Sequence, residues 1–141
     1  YDGVTREQYM DRLVSQTELI LTNEPADIYA NPTYLPEDMQ PDYDRYWTDE
    51  RVDRVLDVLQ RYDIALEINA RYRIPSFDII RRARERGIRF TFGTNNVDAD
   101  FGRLEYCLEA VERCGLTADD MWFPSMSVRR ERPVVLYNRF D

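Results

Sequence analysis

Helical and extended segments alternate along most of this chain, and that order constrains the fold more than any other feature. Short apolar runs typical of β-strands occupy residues 27–30, 64–69 and 88–92, and segments with helical spacing of apolar residues separate them. A strand that returns through a helix pairs in parallel with the strand before it. We therefore predict a single α/β domain over residues 1–141, with a parallel sheet covered by helices.

Local signals predict where the helices begin and end. Thr5 and Gln8 form a capping-box pattern ahead of the first helix. Thr48 and Ser76 precede the second and third helices as capping residues. Gly87 is expected to end the third helix and Gly115 to end the fourth. Thr117 is expected to cap a short turn. Prolines predict that residues 31–47 form a long loop without regular structure, and residues 133–140 read as a last strand.

The composition excludes several classes of site. The chain has 141 residues, a formal net charge of −8, no histidine, and arginine as its only basic residue. Without histidine or lysine it has no imidazole-ligated zinc, no Ser/His/Asp triad and no lysine Schiff base. The acidic balance argues against a nucleic-acid surface, and no apolar run approaches the ~20 residues that span a membrane.

The two cysteines predict free thiols. Cys107 and Cys114 are seven residues apart on one predicted helix, and a rise of ~1.5 Å per residue separates them by ~10 Å. That distance is too long for a disulfide. Free thiols in a core are typical of a reducing compartment, so we expect a cytoplasmic protein.

Three asparagines follow the three predicted strands. Asn31, Asn69 and Asn95 stand at or just after the strand ends, and the carboxyl ends of parallel strands meet at one edge of a sheet, where ligands bind. One interpretation is a pocket that binds a polar ligand through amide hydrogen bonds. The other is that each asparagine satisfies loop backbone groups, as asparagine commonly does at turns.

Three segments carry a resemblance to a known family. They are Asp-Ile-Tyr-Ala-Asn-Pro at residues 27–32, Ala-Leu-Glu-Ile-Asn at 65–69, and Gly-Ile followed by Phe-Gly-Thr-Asn-Asn-Val within 87–97. Their order and spacing resemble the C-terminal part of the PHP (polymerase and histidinol phosphatase) family, a distorted seven-stranded β/α barrel of metal-dependent phosphoesterases. The resemblance implies a partial PHP-like domain whose N-terminal part would precede Tyr1.

The sequence departs from that family at the metal ligands. Asn31 stands where the family has histidine, and Asn95 and Val97 stand where it has aspartate and histidine. An amide oxygen is a weak ligand for transition metals compared with imidazole or carboxylate. The resemblance therefore implies a degenerate domain without a catalytic residue, metal or cofactor, which binds a small polar or phosphorylated molecule. The residues expected to line that pocket are Asn31, Glu67, Asn69, Arg71, Thr94, Asn95 and Asp98.

Two other functions stay open at this point. One is a PHP-type phosphoesterase that uses a divalent metal held by ligands supplied upstream of Tyr1. The other is an interaction or oligomerisation module, since an incomplete barrel leaves open sheet edges. A missing N-terminal segment, a partner chain or self-association would cover these edges. We expect neither a nucleic-acid partner nor a membrane partner.

Several individual residues also have two interpretations. Glu67 is either a surviving acid or a structural partner of Arg71 or Arg73. Arg71 and Arg73 themselves either hold an anion or form a solvated loop. Asp98 and Asp100 either cap a helix or ligate a hard cation.

Two larger groups of residues are equally open to two interpretations. The aromatic residues of the long loop either form a wall over a ligand or fill the end of the barrel. They are Tyr34, Tyr43, Tyr46 and Trp47. The basic residues around the third helix are read as a solvated helix face rather than as a nucleic-acid patch. They are Arg81, Arg82, Arg84, Arg86 and Arg89.

Overall fold

The computed structural model describes residues 3–95 and 102–124. This part of the chain contains five α-helices and three β-strands, and at least one helix separates each strand from the next. The helices are α1 (Arg6–Asn23), α2 (Tyr43–Tyr46), α3 (Asp49–Tyr62), α4 (Phe77–Glu85) and α5 (Glu105–Cys114). The strands are β1 (Ile28–Tyr29), β2 (Ala65–Asn69) and β3 (Phe90–Gly93). The predicted strand over residues 133–140 lies outside the described residues.

The strands form one parallel sheet in the order β1-β2-β3. This arrangement confirms the predicted α/β class and the parallel sheet. Each strand begins and ends within two residues of its predicted limits. β3 ends at Gly93, one residue later than predicted. In the described part of the chain the sheet has three strands and is open, and an isolated bridge joins Met121 to Phe90 beside β3.

The predicted helix caps are confirmed. Thr5 and Gln8 make a complete capping box at the start of α1, while Thr48 and Ser76 accept backbone hydrogen bonds at the starts of α3 and α4. Gly115 ends α5 in a left-handed conformation with φ 65°. Local sequence therefore determines these helix limits well, because the capping side chains satisfy backbone N–H groups that the helix leaves unpaired.

The prediction of a wholly irregular loop over residues 31–47 was wrong at its C-terminal end. A 3-10 turn over Gln40–Asp42 leads directly into α2. Pro41 lies in the first turn of that 3-10 segment. Backbone N–H groups in a first turn have no partner within the helix, so the missing N–H of a proline costs no hydrogen bond there. The loop therefore carries its own regular structure next to the sheet.

The core lies between the helices and one face of the sheet. Leu66, Ile68 and Phe90 are at most 1% exposed, and the register pairs Leu66 with Phe90 on the same face. Not every apolar residue at helical spacing is buried, since Ile20 and Leu108 are more than half exposed. The helical spacing located the helices correctly and overestimated the width of their buried faces.

Arginines tie the helices together. Arg51 of α3 is 8% exposed and donates to the Tyr46 carbonyl oxygen at 2.8 Å and to the Glu7 carboxylate of α1 at 2.8 Å. Arg82 and Arg86 of the basic cluster both donate to the Asp53 carboxylate of α3. These two arginines of the cluster therefore face acids on a neighbouring helix, in line with a structural reading of the cluster.

The helices of the described residues are not of the membrane-spanning kind. None of them combines the length and the apolar character that crossing a bilayer requires.

Both thiols are free and buried, as predicted. Burial raises the pKa of Cys107 from 9.0 to about 11, and burial also raises the pKa values of Tyr29, Tyr43 and Tyr106 from 10.0. A raised pKa favours the folded state below the ordinary pKa, and this contribution is lost as the pH rises toward the folded value. The fold should therefore weaken in alkali.

We expect the free energy of unfolding to fall from about pH 9 upward, and more steeply above about pH 10, where tyrosine also ionises in the unfolded chain. The slope is about 1.4 kcal/mol per pH unit for each group that ionises only on unfolding. Urea unfolding across this range measures it, and Cys107→Ala should show a shallower decline. A flat profile in the unsubstituted chain would contradict the prediction.

Candidate functional site

Four polar side chains interlock at the carboxyl edge of the sheet. Asn31 Oδ1 accepts hydrogen bonds from Asn69 Nδ2 at 2.9 Å and from Asn95 Nδ2 at 2.8 Å. Glu67 Oε1 accepts from the Asn31 backbone N–H and from Asn69 Nδ2, both at 3.0 Å. We call these four residues the amide cluster. The expectation that the three asparagines converge at one edge is met.

The strands explain why these side chains meet. Glu67 and Asn69 are two residues apart on β2 and so project from the same face of the sheet. Asn31 comes two residues after β1, and Asn95 comes two residues after β3. The central strand thus supplies two members of the amide cluster, and each outer strand supplies one.

Asn69 is the centre of the amide cluster. Its side chain is 0% exposed, and its Oδ1 accepts the Tyr72 backbone N–H at 2.9 Å. Its Nδ2 donates one hydrogen to Asn31 Oδ1 and the other to Glu67 Oε1, so both N–H groups and the oxygen of this buried amide have partners. A fully satisfied buried amide holds one geometry, because any other arrangement leaves a polar group unpaired.

Gly93 gives the Glu67 carboxylate its space. The register places Gly93 of β3 beside Asn69. A Cβ on Gly93 would lie 2.5 Å from Glu67 Cδ, closer than atoms can pack. The absence of a side chain at Gly93 is therefore a condition for the position of Glu67, and no pattern in the sequence predicted this role.

Four non-glycine residues around this edge have a left-handed backbone. Asn31, Thr33, Arg73 and Asn95 have φ values of 48°, 64°, 53° and 44°. Asparagine adopts this region more readily than most residues, but a β-branched threonine rarely does. Such backbone conformations persist only where surrounding contacts hold them, and they concentrate at functional sites.

Thr33 is held by contacts that no sequence pattern predicted. It is 5% exposed, and its hydroxyl is hydrogen-bonded with the hydroxyl of Tyr43. Its carbonyl oxygen accepts from Trp47 Nε1 at 2.9 Å, and its N–H donates to the Tyr29 hydroxyl at 3.3 Å. Three aromatic side chains thereby anchor the loop that carries Asn31. The density of aromatic residues in the loop was the available signal.

The aromatic residues of the loop divide between the two interpretations. Tyr46 and Trp47 are buried in the core at 2% and 5% exposure. Tyr34 and Tyr43 instead line a cavity of about 200 Å³ beside the amide cluster, together with Tyr72 and other residues of the loop after β2. Half of the aromatic set thus packs the end of the sheet, and half lines an opening. We call this opening the rim pocket.

Two further predicted site residues, Thr94 and Arg71, are in the described part of the chain and are not among the four residues of the amide cluster. Thr94 directly follows β3 and is half-buried, and Arg71 is exposed with its guanidinium 6.0 Å from the Tyr72 ring centroid. Arg73, offered as a partner of Glu67, pairs with Glu109 at 3.2 Å. Val97, Asp98 and Asp100, which the sequence pattern singled out, lie outside the described residues.

Three oxygens of the amide cluster are already engaged by N–H donors. Asn31 Oδ1 and Glu67 Oε1 each accept two hydrogen bonds, which occupies the two lone pairs of each atom. Asn69 Oδ1 accepts a backbone N–H. Within residues 3–95 and 102–124, no group of three or more acidic or cysteine side chains is arranged to hold a cation.

What the amide cluster leaves open is a mixed set of hydrogen-bonding groups. Asn31 is exposed, and its Nδ2 makes no hydrogen bond within the described residues; the same is true of Glu67 Oε2. One group is a donor and the other is an acceptor. This pair suits a ligand that offers both an acceptor oxygen and a hydroxyl.

Comparisons with protein-family models, with curated proteins and with solved structures find no match to this chain.

Proposed function

We propose that this chain is a binding module whose amide cluster holds a small polar or phosphorylated molecule without a metal and without catalysing its hydrolysis. The observation that carries the proposal is the closure of the amide cluster on itself. Asn31 Oδ1 and Glu67 Oε1 each accept two internal N–H groups. The amide cluster therefore presents neutral amide donors and the second carboxylate oxygen, Glu67 Oε2. Neutral donors bind polar oxygens with modest affinity and high geometric selectivity.

We further propose that the fold is the C-terminal part of a PHP-like barrel. The parallel order β1-β2-β3 and the site at the carboxyl edge support it. Asparagine in place of two family ligands supports the degenerate form of the domain. In this proposal, the uncovered sheet edges pair with further barrel strands, a partner chain or a second copy.

The binding proposal predicts a specific loss in Asn31→Ala. Ribose 5-phosphate and ribose, titrated against the ¹⁵N-labelled protein, should shift the side-chain amide signals of Asn31 and Asn95. The Asn31→Ala variant should weaken binding about tenfold, because one hydrogen bond contributes roughly 0.5–1.5 kcal/mol and the neighbouring amides lose an acceptor.

Asn23→Ala is the matched control, because Asn23 lies at the end of α1 and its amide donates to the Leu19 carbonyl oxygen, away from the amide cluster. It should bind both probes as the unsubstituted chain does. Equal affinities for Asn31→Ala and Asn23→Ala, or no shifts at millimolar probe, would rule out binding at the amide cluster.

Metal analysis separates this function from the phosphoesterase. After exposure to manganese, zinc and iron and then desalting, we expect near-zero bound metal. Hydrolysis of p-nitrophenyl phosphate that a chelator abolishes, and that Glu67→Gln reduces, would favour the enzyme instead.

A further inference from the structure

We infer that the rim pocket is a second binding site, which takes an electron-rich planar ring carrying a ring N–H. No residue of the amide cluster lines this pocket, so the inference stands apart from the proposal above. It rests on the volume of the cavity, on the chemistry of its walls and on one unengaged acceptor.

The volume restricts the ligand to one ring or two fused rings. The rim pocket measures about 200 Å³. An apolar cavity of ~150 Å³ is enough to hold benzene, whereas pockets for drug-sized ligands run from ~300 Å³ upward. A bicyclic heterocycle therefore fits, and a complete dinucleotide cofactor does not.

The walls are apolar below and aromatic at the opening. Leu35 and Ile74 lie at 1% and 8% exposure and form the apolar lining. Tyr34 and Tyr72 meet at a centroid distance of 4.9 Å with an interplanar angle of 64°, and both are more than 40% exposed. Two large rings held together at an opening offer an edge and a face to a planar guest.

One side chain of the wall is cationic. Arg73 lines the rim pocket, and its guanidinium is held by Glu109 at 3.2 Å and lies 5.0 Å from the Tyr106 ring centroid. These contacts hold the Arg73 side chain in place, and the Glu109 carboxylate offsets part of its charge. A cation beside the face of an aromatic ligand is attracted by the negative charge of that face.

One acceptor accounts for the ring N–H. Gln40 lines the pocket, and its Nε2 donates to the Leu35 carbonyl oxygen at 3.0 Å. That bond orients the amide, while Gln40 Oε1 makes no hydrogen bond within the described residues. Gln40 is an exposed residue, and its oriented, unengaged carbonyl oxygen favours a ligand that brings an N–H group to the pocket.

The test compares three probes of similar size by NMR titration of the full chain. Indole should bind, benzofuran should bind about fivefold more weakly because it lacks the N–H, and cyclohexanol should bind most weakly because it is not planar. Tyr72→Ala should weaken indole binding about fivefold to tenfold. Tyr34→Ala provides a second variant in case the first alters the loop.

Two control variants change residues outside the rim pocket. Phe123→Ala removes an exposed aromatic residue, 69% accessible and outside the rim pocket, and should leave indole binding unchanged. Asn31→Ala should also leave it unchanged, which separates this site from the amide cluster. Equal affinity for indole and cyclohexanol, equal losses in Tyr72→Ala and Phe123→Ala, or no indole binding at millimolar concentration would each overturn the inference.

Discussion

The Asn69→Asp variant should lose about 3–5 kcal/mol of folding free energy at neutral pH. Asn69 Nδ2 donates to both Asn31 Oδ1 and Glu67 Oε1 from a side chain that is 0% exposed. Aspartate removes both donors and places a second carboxylate against Glu67, where water does not reach it. A buried charge without a partner is among the costliest single changes.

The loss should depend on pH in a defined direction. Burial and the charge of Glu67 raise the pKa of a new carboxyl at position 69 above the ordinary ~3.9. The variant should therefore regain part of its stability as the pH falls below that raised pKa, because the protonated carboxyl can again donate to Asn31. Urea unfolding of variant and unsubstituted chain at about pH 7.5 and pH 4.5 measures the difference.

Asn69→Ala is the matched control for that experiment. It removes the same hydrogen bonds, leaves the Tyr72 backbone N–H without its acceptor, and adds no charge. We expect a loss of about 2–3 kcal/mol that changes little with pH. Identical pH profiles for the two variants would contradict the argument, and full rescue of Asn69→Asp by Mg²⁺ or Mn²⁺ would show that the amide cluster accepts a cation.

The secondary structure could be predicted because its signals are local. Thr5 with Gln8, Thr48 and Ser76 cap helices through contacts three residues away, so the sequence alone contains both partners. The α2 helix was missed because its support is tertiary. Its Tyr43 hydroxyl is bound by Thr33 and by the Ser76 backbone N–H at 3.3 Å, contacts that no local pattern displays.

The strand topology predicted which residues of the site lie together, but not which of them form hydrogen bonds with one another. Parallel pairing brings the strand ends to one edge, so the meeting of Asn31, Asn69 and Asn95 followed from the order of elements. The pairing of donors with acceptors did not follow. Because Arg73 is close to Glu67 along the chain, an ion pair between them was one interpretation. In the structure Arg73 pairs with Glu109, and Glu67 accepts N–H groups from Asn31 and Asn69.

Substitution of Gly93 by alanine tests whether the carboxylate position is essential to the amide cluster. A Cβ there would lie 2.5 Å from Glu67 Cδ, so Glu67 must move away from Asn31 and Asn69. We expect Gly93→Ala to cost about 2–3 kcal/mol from overpacking and lost hydrogen bonds. Urea unfolding measures that loss, and the side-chain amide signals of Asn69 should shift at the same time.

A double-mutant cycle with Glu67→Ala isolates the cause. Removing the Glu67 carboxylate eliminates the atom that the new Cβ meets, so Gly93→Ala should cost less than about 0.5 kcal/mol in that background. The coupling between the two sites should therefore exceed about 1 kcal/mol. If Gly93→Ala costs the same in both backgrounds, the loss arises in the β3 backbone, and the space above Gly93 is not what positions Glu67 in the amide cluster.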